Sequence, residues 1–149
     1  MLESSGPFHL NRFLEAQEHS YSAALSEIRS GRKKTHWMWF IFPQVAGLGF
    51  SSTSVFYAIN SLDEAWAYLA HPVLGNRLAA CCQALLELEG LTAHEIFGSP
   101  DDLKLCSSMT LFAHVSTRGS VFEQVLARYF GGKPDIHTLQ LIKDAPGKV

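Results

Sequence analysis

Two segments of the chain concentrate the residue types that could serve a ligand. The first, His36-Trp37-Met38-Trp39-Phe40-Ile41-Phe42-Pro43-Gln44, packs two tryptophans, two phenylalanines, an imidazole and an amide into nine residues. An aromatic run with polar groups at both ends suits a pocket wall, in which Trp37 and Trp39 stack on or enclose a flat ligand and His36 and Gln44 hydrogen-bond it. The second segment carries Lys104, Ser107, Ser108 and Thr110. Helix positions three and four apart share a face, so Lys104 neighbours both serines, and an ammonium beside hydroxyls suits a phosphate or carboxylate. The expected ligand-binding set is Trp37, Trp39, Gln44, Lys104, Ser107 and Ser108. His36 is the expected acid–base group if a bond is made or broken, because imidazole titrates near neutral pH.

Each of these features has a plainer reading. The aromatic run could be core alone, and the hydroxyls could bond back to helix carbonyls. Lysine beside serine can activate a nucleophile, but the order of the residues and the missing oxyanion motif argue against it. No His-x-x-x-His or Cys/His spacing appears, so no metal and no cofactor are expected. Gly47-Leu48-Gly49 lacks the third glycine and preceding strand of a dinucleotide fingerprint and reads as a turn between helices. Arg29, Arg32, Lys33 and Lys34 lie close to Trp37, a pairing found in single-strand nucleic-acid binders. At a net charge of −2 and a pI near 6.4 they read instead as a solvated face, and nucleic acid is disfavoured as a partner.

The elements that must position these residues are helical. Apolar positions from Leu10 to Ser30 recur at three- and four-residue spacing, predicting one amphipathic helix stopped by Gly31. The run at 36–44 reads as a short buried helix ended by Pro43. A short helix follows over Ser51–Ile59, and Ser61-x-x-Glu64 has the form of a capping box opening another to Ala70. After His71-Pro72 a long helix runs towards Gly90, with Gly75 inside it at a cost of about 1 kcal/mol relative to Ala. Thr92–Glu95 repeats the capping-box form. Ser99-Pro100-Asp101-Asp102 has the cap, proline and acidic first turn that start a helix, here to about His114. Ser120 and Asp135 cap the last two. No alternating strand pattern appears, so the expected fold is an all-α orthogonal bundle of about seven helices forming one domain over 8–143, with flexible ends at 1–7 and 144–149.

Composition agrees with a single core. The 149 residues are 47% hydrophobic and only 17% charged, against about 25% charged for an ordinary soluble domain. Cys81, Cys82 and Cys106 make neither a disulfide framework nor a thiolate zinc site, which fits a reduced, cytoplasmic protein. No apolar run approaches the ~20 residues of a membrane span, and the sequence leads us to expect neither export nor a membrane span. Oligomeric state is not legible. The competing functional class is a protein-interaction module without catalytic activity, in which the aromatic residues make a partner surface.

The 36–44 run followed by Gly47-Leu48-Gly49, and the segment Asp101-Asp102-Leu103-Lys104-Leu105-Cys106-Ser107-Ser108-Met109-Thr110-Leu111-Phe112, resemble the uncharacterised bacterial family called domain of unknown function 1810. The likeness extends from about Phe8 to Leu141 and takes in Tyr57-Ala58-Ile59, His71-Pro72-Val73-Leu74-Gly75 and Tyr129-Phe130-Gly131. It implies a compact, mainly helical single domain and no established activity. The family's motifs fall on His36, Trp37, Trp39, Gln44, Lys104, Ser107 and Ser108. One departure is His9, where the family pattern has an Asp helix cap that Asn11 could replace. A looser likeness of composition, to helical proteins handling NAD- or ADP-ribose-linked nucleobases, hints at a nucleotide-like ligand handled by a hydrolase or group-transfer enzyme. No catalytic Glu of such proteins can be placed in this chain.

Overall fold

Helices form where the sequence carries an apolar stripe with a cap or stop, and the computed structural model, which describes residues 6–144, contains no β-strand among them. After a 3-10 turn, Gly6–Phe8, come α1 (Asn11–Glu18), α2 (Tyr21–Arg29), α3 (Met38–Ile41), α4 (Ser52–Phe56) and α5 (Leu62–Ala70). They are followed by α6 (Leu74–Glu87), α7 (Ala93–Phe97), α8 (Asp101–His114), α9 (Val121–Phe130) and α10 (Ile136–Asp144). Of the ends expected to be flexible, 1–5 and 145–149 lie outside the described residues.

The count exceeds seven because α3, α4 and α7 are each about one turn long and because the expected helix over Leu10–Ser30 divides in two. Phe13, Gln17, Ala24 and Ile28 are all buried, so the stripe keeps its phase through the break at His19-Ser20. Two poor helix formers therefore interrupt the backbone without disturbing the pattern that periodicity detects.

Most starts follow the capping expectations. Ser61 Oγ accepts the Glu64 amide at 3.0 Å, Thr92 and Glu95 form a full capping box, and Ser120 Oγ accepts the Glu123 amide at 3.3 Å. Two starts differ. Helix α8 begins after Pro100 with no side-chain cap, because the Asp101 carboxylate turns towards Lys33 and Lys104 and Ser99 is left outside the helix. At α1, Asn11 does not replace the missing cap; its amide donates to Glu15 at 2.8 Å, and His9 adopts a left-handed φ of 53°.

That first corner is held by Arg12 instead. Its guanidinium donates to the carbonyls of Phe8, His9, Phe56 and Ala58 and to Glu64 Oε2 at 2.7 Å, which uses all five N–H groups. Helix α8 forms the centre of the molecule and packs against α5, α7, α9 and α10, with every residue from Ser107 to Phe112 buried. Close packing accounts for Gly75, since a Cβ there would sit 2.1 Å from the Leu69 carbonyl oxygen. Helix α6 is thus pressed onto the end of α5.

Candidate functional site

The nine-residue aromatic run resolves into inward and outward members. Trp37, Met38, Ile41 and Phe42 are buried, Trp39 and Phe40 are half-buried, and His36 is exposed. Trp37 belongs to the core: its ring lies 6.2 Å from those of Phe42 and Phe97, and its indole N–H donates to Glu27 Oε1 at 2.9 Å. Glu27 also accepts the amides of Lys34 and Thr35 and the Thr35 hydroxyl. Burial pushes its carboxyl up, but these hydrogen bonds outweigh burial and hold it down at about 2. The loop between α2 and α3 is therefore wrapped around one carboxylate.

Trp39 points the other way, into a cavity of about 240 Å³. One wall is the segment after α3, where Gln44 and Val45 are held by a bridge to Ile59 through Ile59 N–H to Gln44 O and Ala46 N–H to Ile59 O, both 2.8 Å. The Gly47-Leu48-Gly49 turn and Tyr57 continue this wall. Gly49 lies so close to α4 that a Cβ would meet Ser54 Oγ at 2.7 Å, and Gly47, with φ of +106°, faces Leu141 of α10. The opposite wall is the first two turns of α8, with Leu103, Lys104 and Ser107, and Asp135 and His137 at the start of α10 close it.

The cavity's polar groups are held with unequal firmness. Asp135 caps α10 as expected, its Oδ2 accepting the Thr138 amide at 2.9 Å and hydroxyl at 2.5 Å, while its own amide donates to Thr110 Oγ1 of α8 at 2.8 Å. The Ser107 hydroxyl, with one proton, has two acceptors at 3.2 Å, Leu103 O and Asp135 Oδ2. Lys104 Nζ lies 4.5 Å from the centre of the Trp39 ring and 3.3 Å from Asp101 Oδ1. A cation over an indole face is favoured by the ring quadrupole, so Trp39 orients the ammonium. No side-chain hydrogen bond among the described residues engages Gln44 or His137.

The two sequence segments thus meet: Trp39 and Gln44 share one cavity with Lys104 and Ser107. Trp37 lies in the core, Ser108 is fully buried with no partner for its hydroxyl among the described residues, and His36 is not among the lining residues. Sequence reasoning missed His137, Asp135 and Tyr57 as lining residues. Asp135 was visible only as a helix cap, and no spacing signal ties α10 to α8.

Two other depressions are more open. The one beside Arg12 and Glu64 lies over a buried ion pair already saturated by protein partners, and the one beside His114 and Glu123 lies between α8, α9 and α10. Among the described residues no cluster of three His, Cys, Asp or Glu side chains could hold a metal. None of their helices is long and apolar enough to cross a membrane.

The comparisons with known proteins agree with this architecture. The chain matches a solved structure, the conserved hypothetical protein Rv1873 from Mycobacterium tuberculosis, with 50% sequence identity and a TM-score of 0.90 over 92% of this chain and 98% of that one. No functionally curated protein matches. Residues 7–142 match the family described as protein of unknown function (DUF1810), and the chain belongs to that family.

Proposed function

We propose that the cavity between α3, α8 and α10 binds a small anionic ligand, taken by Lys104 with Ser107 and Gln44. The observation that carries this reading is the Lys104 ammonium, held over Trp39 at the cavity wall with one ion pair among the described residues, at 3.3 Å, which leaves donors for a ligand. Trp39 thereby acts as the ammonium's support, with one face already covered. At about 240 Å³ the cavity is below the usual ~300–1,000 Å³ of ligand sites, so a monocarboxylate, a sugar phosphate or one end of a nucleotide fits and a whole NAD does not. The groups placed to move a proton at such a ligand are His137 and Ser107, the latter bonded to Asp135. Any hydrolase or group-transfer step is therefore assigned to these residues in preference to His36. Three unpaired cysteines support a cytoplasmic setting, and the net charge of −2 supports a small ligand over nucleic acid.

The test is a thermal-shift and calorimetric titration of wild type and Lys104→Ala with inorganic phosphate, ribose 5-phosphate, AMP, ADP-ribose and NAD. A ligand at about 100 times its dissociation constant adds about 2.7 kcal/mol of stability. The expected result is stabilisation by one of the smaller anions that disappears in Lys104→Ala. An equal response from both proteins, or none from either, refutes the reading.

One observation favours the interaction module. Phe50, Val55 and Phe56, on α4 and its approach, are 87%, 60% and 50% exposed. Light scattering separates the two readings: a concentration-dependent rise in mass abolished by Phe50→Ser would favour the module.

A further inference from the structure

The basic run before α3 does not remain wholly in solvent. Arg32 and Lys34 are exposed, but Lys33 folds inward, its side chain only 9% exposed, with Nζ 2.9 Å from Asp101 Oδ2 and 5.1 Å from the centre of the Trp37 ring. The backbone enforces this. Lys33 N–H donates to Ile96 O of α7 at 2.7 Å, and Glu27 grips the next two amides. Asp101 therefore stands between two ammonium groups, Lys33 on Oδ2 and Lys104 on Oδ1 at 3.3 Å. Each lysine rests on one tryptophan of Trp37-Met38-Trp39.

We infer that Lys33, which is outside the cavity, is a positioning residue for its anion site. The inference rests on the cavity reading above. Two lysines and Asp101 leave one positive charge beside the Asp135 carboxylate, which is already bonded to Thr138 and Ser107, and the shorter, more buried bond gives Asp101 chiefly to Lys33. Lys104 thus keeps its charge and donors for a ligand. Without Lys33, Asp101 and Lys104, three residues apart on one helix face, form a closed neutral pair, and the incoming anion has to compete with a carboxylate. The interposed aspartate also gives the site a built-in competitor whose strength Lys33 sets.

Calorimetric titration with inorganic phosphate and with AMP tests this on wild type, Lys104→Ala, Lys33→Met, Asp101→Asn and the Lys33→Met/Asp101→Asn double variant, each checked for folding by circular dichroism. Lys33→Met should weaken binding by up to roughly fivefold, the upper end of the range for a partly exposed ion pair. Asp101→Asn should tighten it, and the double variant should recover at least wild-type affinity, a rescue that a purely structural role for Lys33 would not produce. Should Lys33→Met fail to fold, the direction of the Asp101→Asn change decides: weaker or unchanged binding overturns the inference. If Lys104→Ala loses binding while Lys33→Met binds like wild type, or the double variant stays weak, only the inference falls. If wild type binds neither probe, or Lys104→Ala binds both as wild type does, the cavity reading falls with it.

Discussion

Replacing Glu27 by Gln removes one charge while keeping shape, and the structure sets both the size and the pH dependence of the loss. The carboxylate accepts the Lys34 amide at 2.7 Å, the Thr35 amide at 3.0 Å, the Trp37 indole at 2.9 Å and the Thr35 hydroxyl at 2.6 Å. These bonds overcome the upward push of burial and hold the carboxyl at about 2, against an ordinary 4.5. That difference is worth at most about 3 kcal/mol. Glu27 is partly exposed, so solvent screening reduces the expected value to about 1–2 kcal/mol. Because the folded-state value is depressed, the folded protein binds fewer protons than the unfolded chain. The contribution is complete above pH 4.5 and is lost as the pH falls towards 2. Urea denaturation of wild type and Glu27→Gln between pH 2 and 7 measures it directly. The expected result is a gap at pH 7 that closes below pH 4.5. A gap constant with pH would show that charge-assisted bonding is not what holds the loop, and with it the setting of Lys33.

Two further substitutions test the packing around the site. Gly75→Ala should destabilise by about 1–3 kcal/mol, because its Cβ would overlap the Leu69 carbonyl 2.1 Å away; a gain of about 1 kcal/mol from helix propensity would refute that close contact. Arg12→Met should cost about 3–5 kcal/mol by leaving Glu64 buried and unpaired, and adding Glu64→Gln should return part of it; chemical denaturation of the single and double variants measures both, and strict additivity would show the pair is not coupled.

What could be read from the sequence, and what could not, follows the range of the signal. Lys104 and Ser107 reach the cavity together, whereas Ser108, about 40° from Lys104 on its other side and about 100° from Ser107, enters the core; spacing puts both serines beside Lys104, and only packing decides which of them faces the cavity. Trp37 and Trp39, two apart, have to face nearly opposite ways on a helix, but α3 has four residues and its unbroken apolar run carries no phase. Which tryptophan lines the cavity is set by Glu27 taking the Trp37 indole, a contact between elements. The same holds for α10: Asp135 announces itself as a cap, but its bond to Ser107 and its amide's bond to Thr110 are tertiary.

The contrast between saturated and unsaturated polar groups separates the cavity from the rest of the interior. Arg12 has all five donors taken, Gln17 bonds Phe40 O and Tyr68, and Thr110 returns to Cys106 O while accepting Asp135 N–H. Such groups hold the fold and have little left to give a ligand. Burial pushes the thiols of Cys81 and Cys106 up to about 12 and 11, so neither is a ready nucleophile. At the cavity the balance reverses: among the described residues, half-buried Gln44 and exposed His137 have no side-chain hydrogen-bond partner, and Lys104 has one ion pair, with an Asp101 that it shares with Lys33. Half-buried Gln44 and Lys104 keep bonding capacity at one cavity wall, beside a core whose buried side-chain polar atoms among the described residues are paired except at Ser108, and that is the physical reason to seek the ligand there.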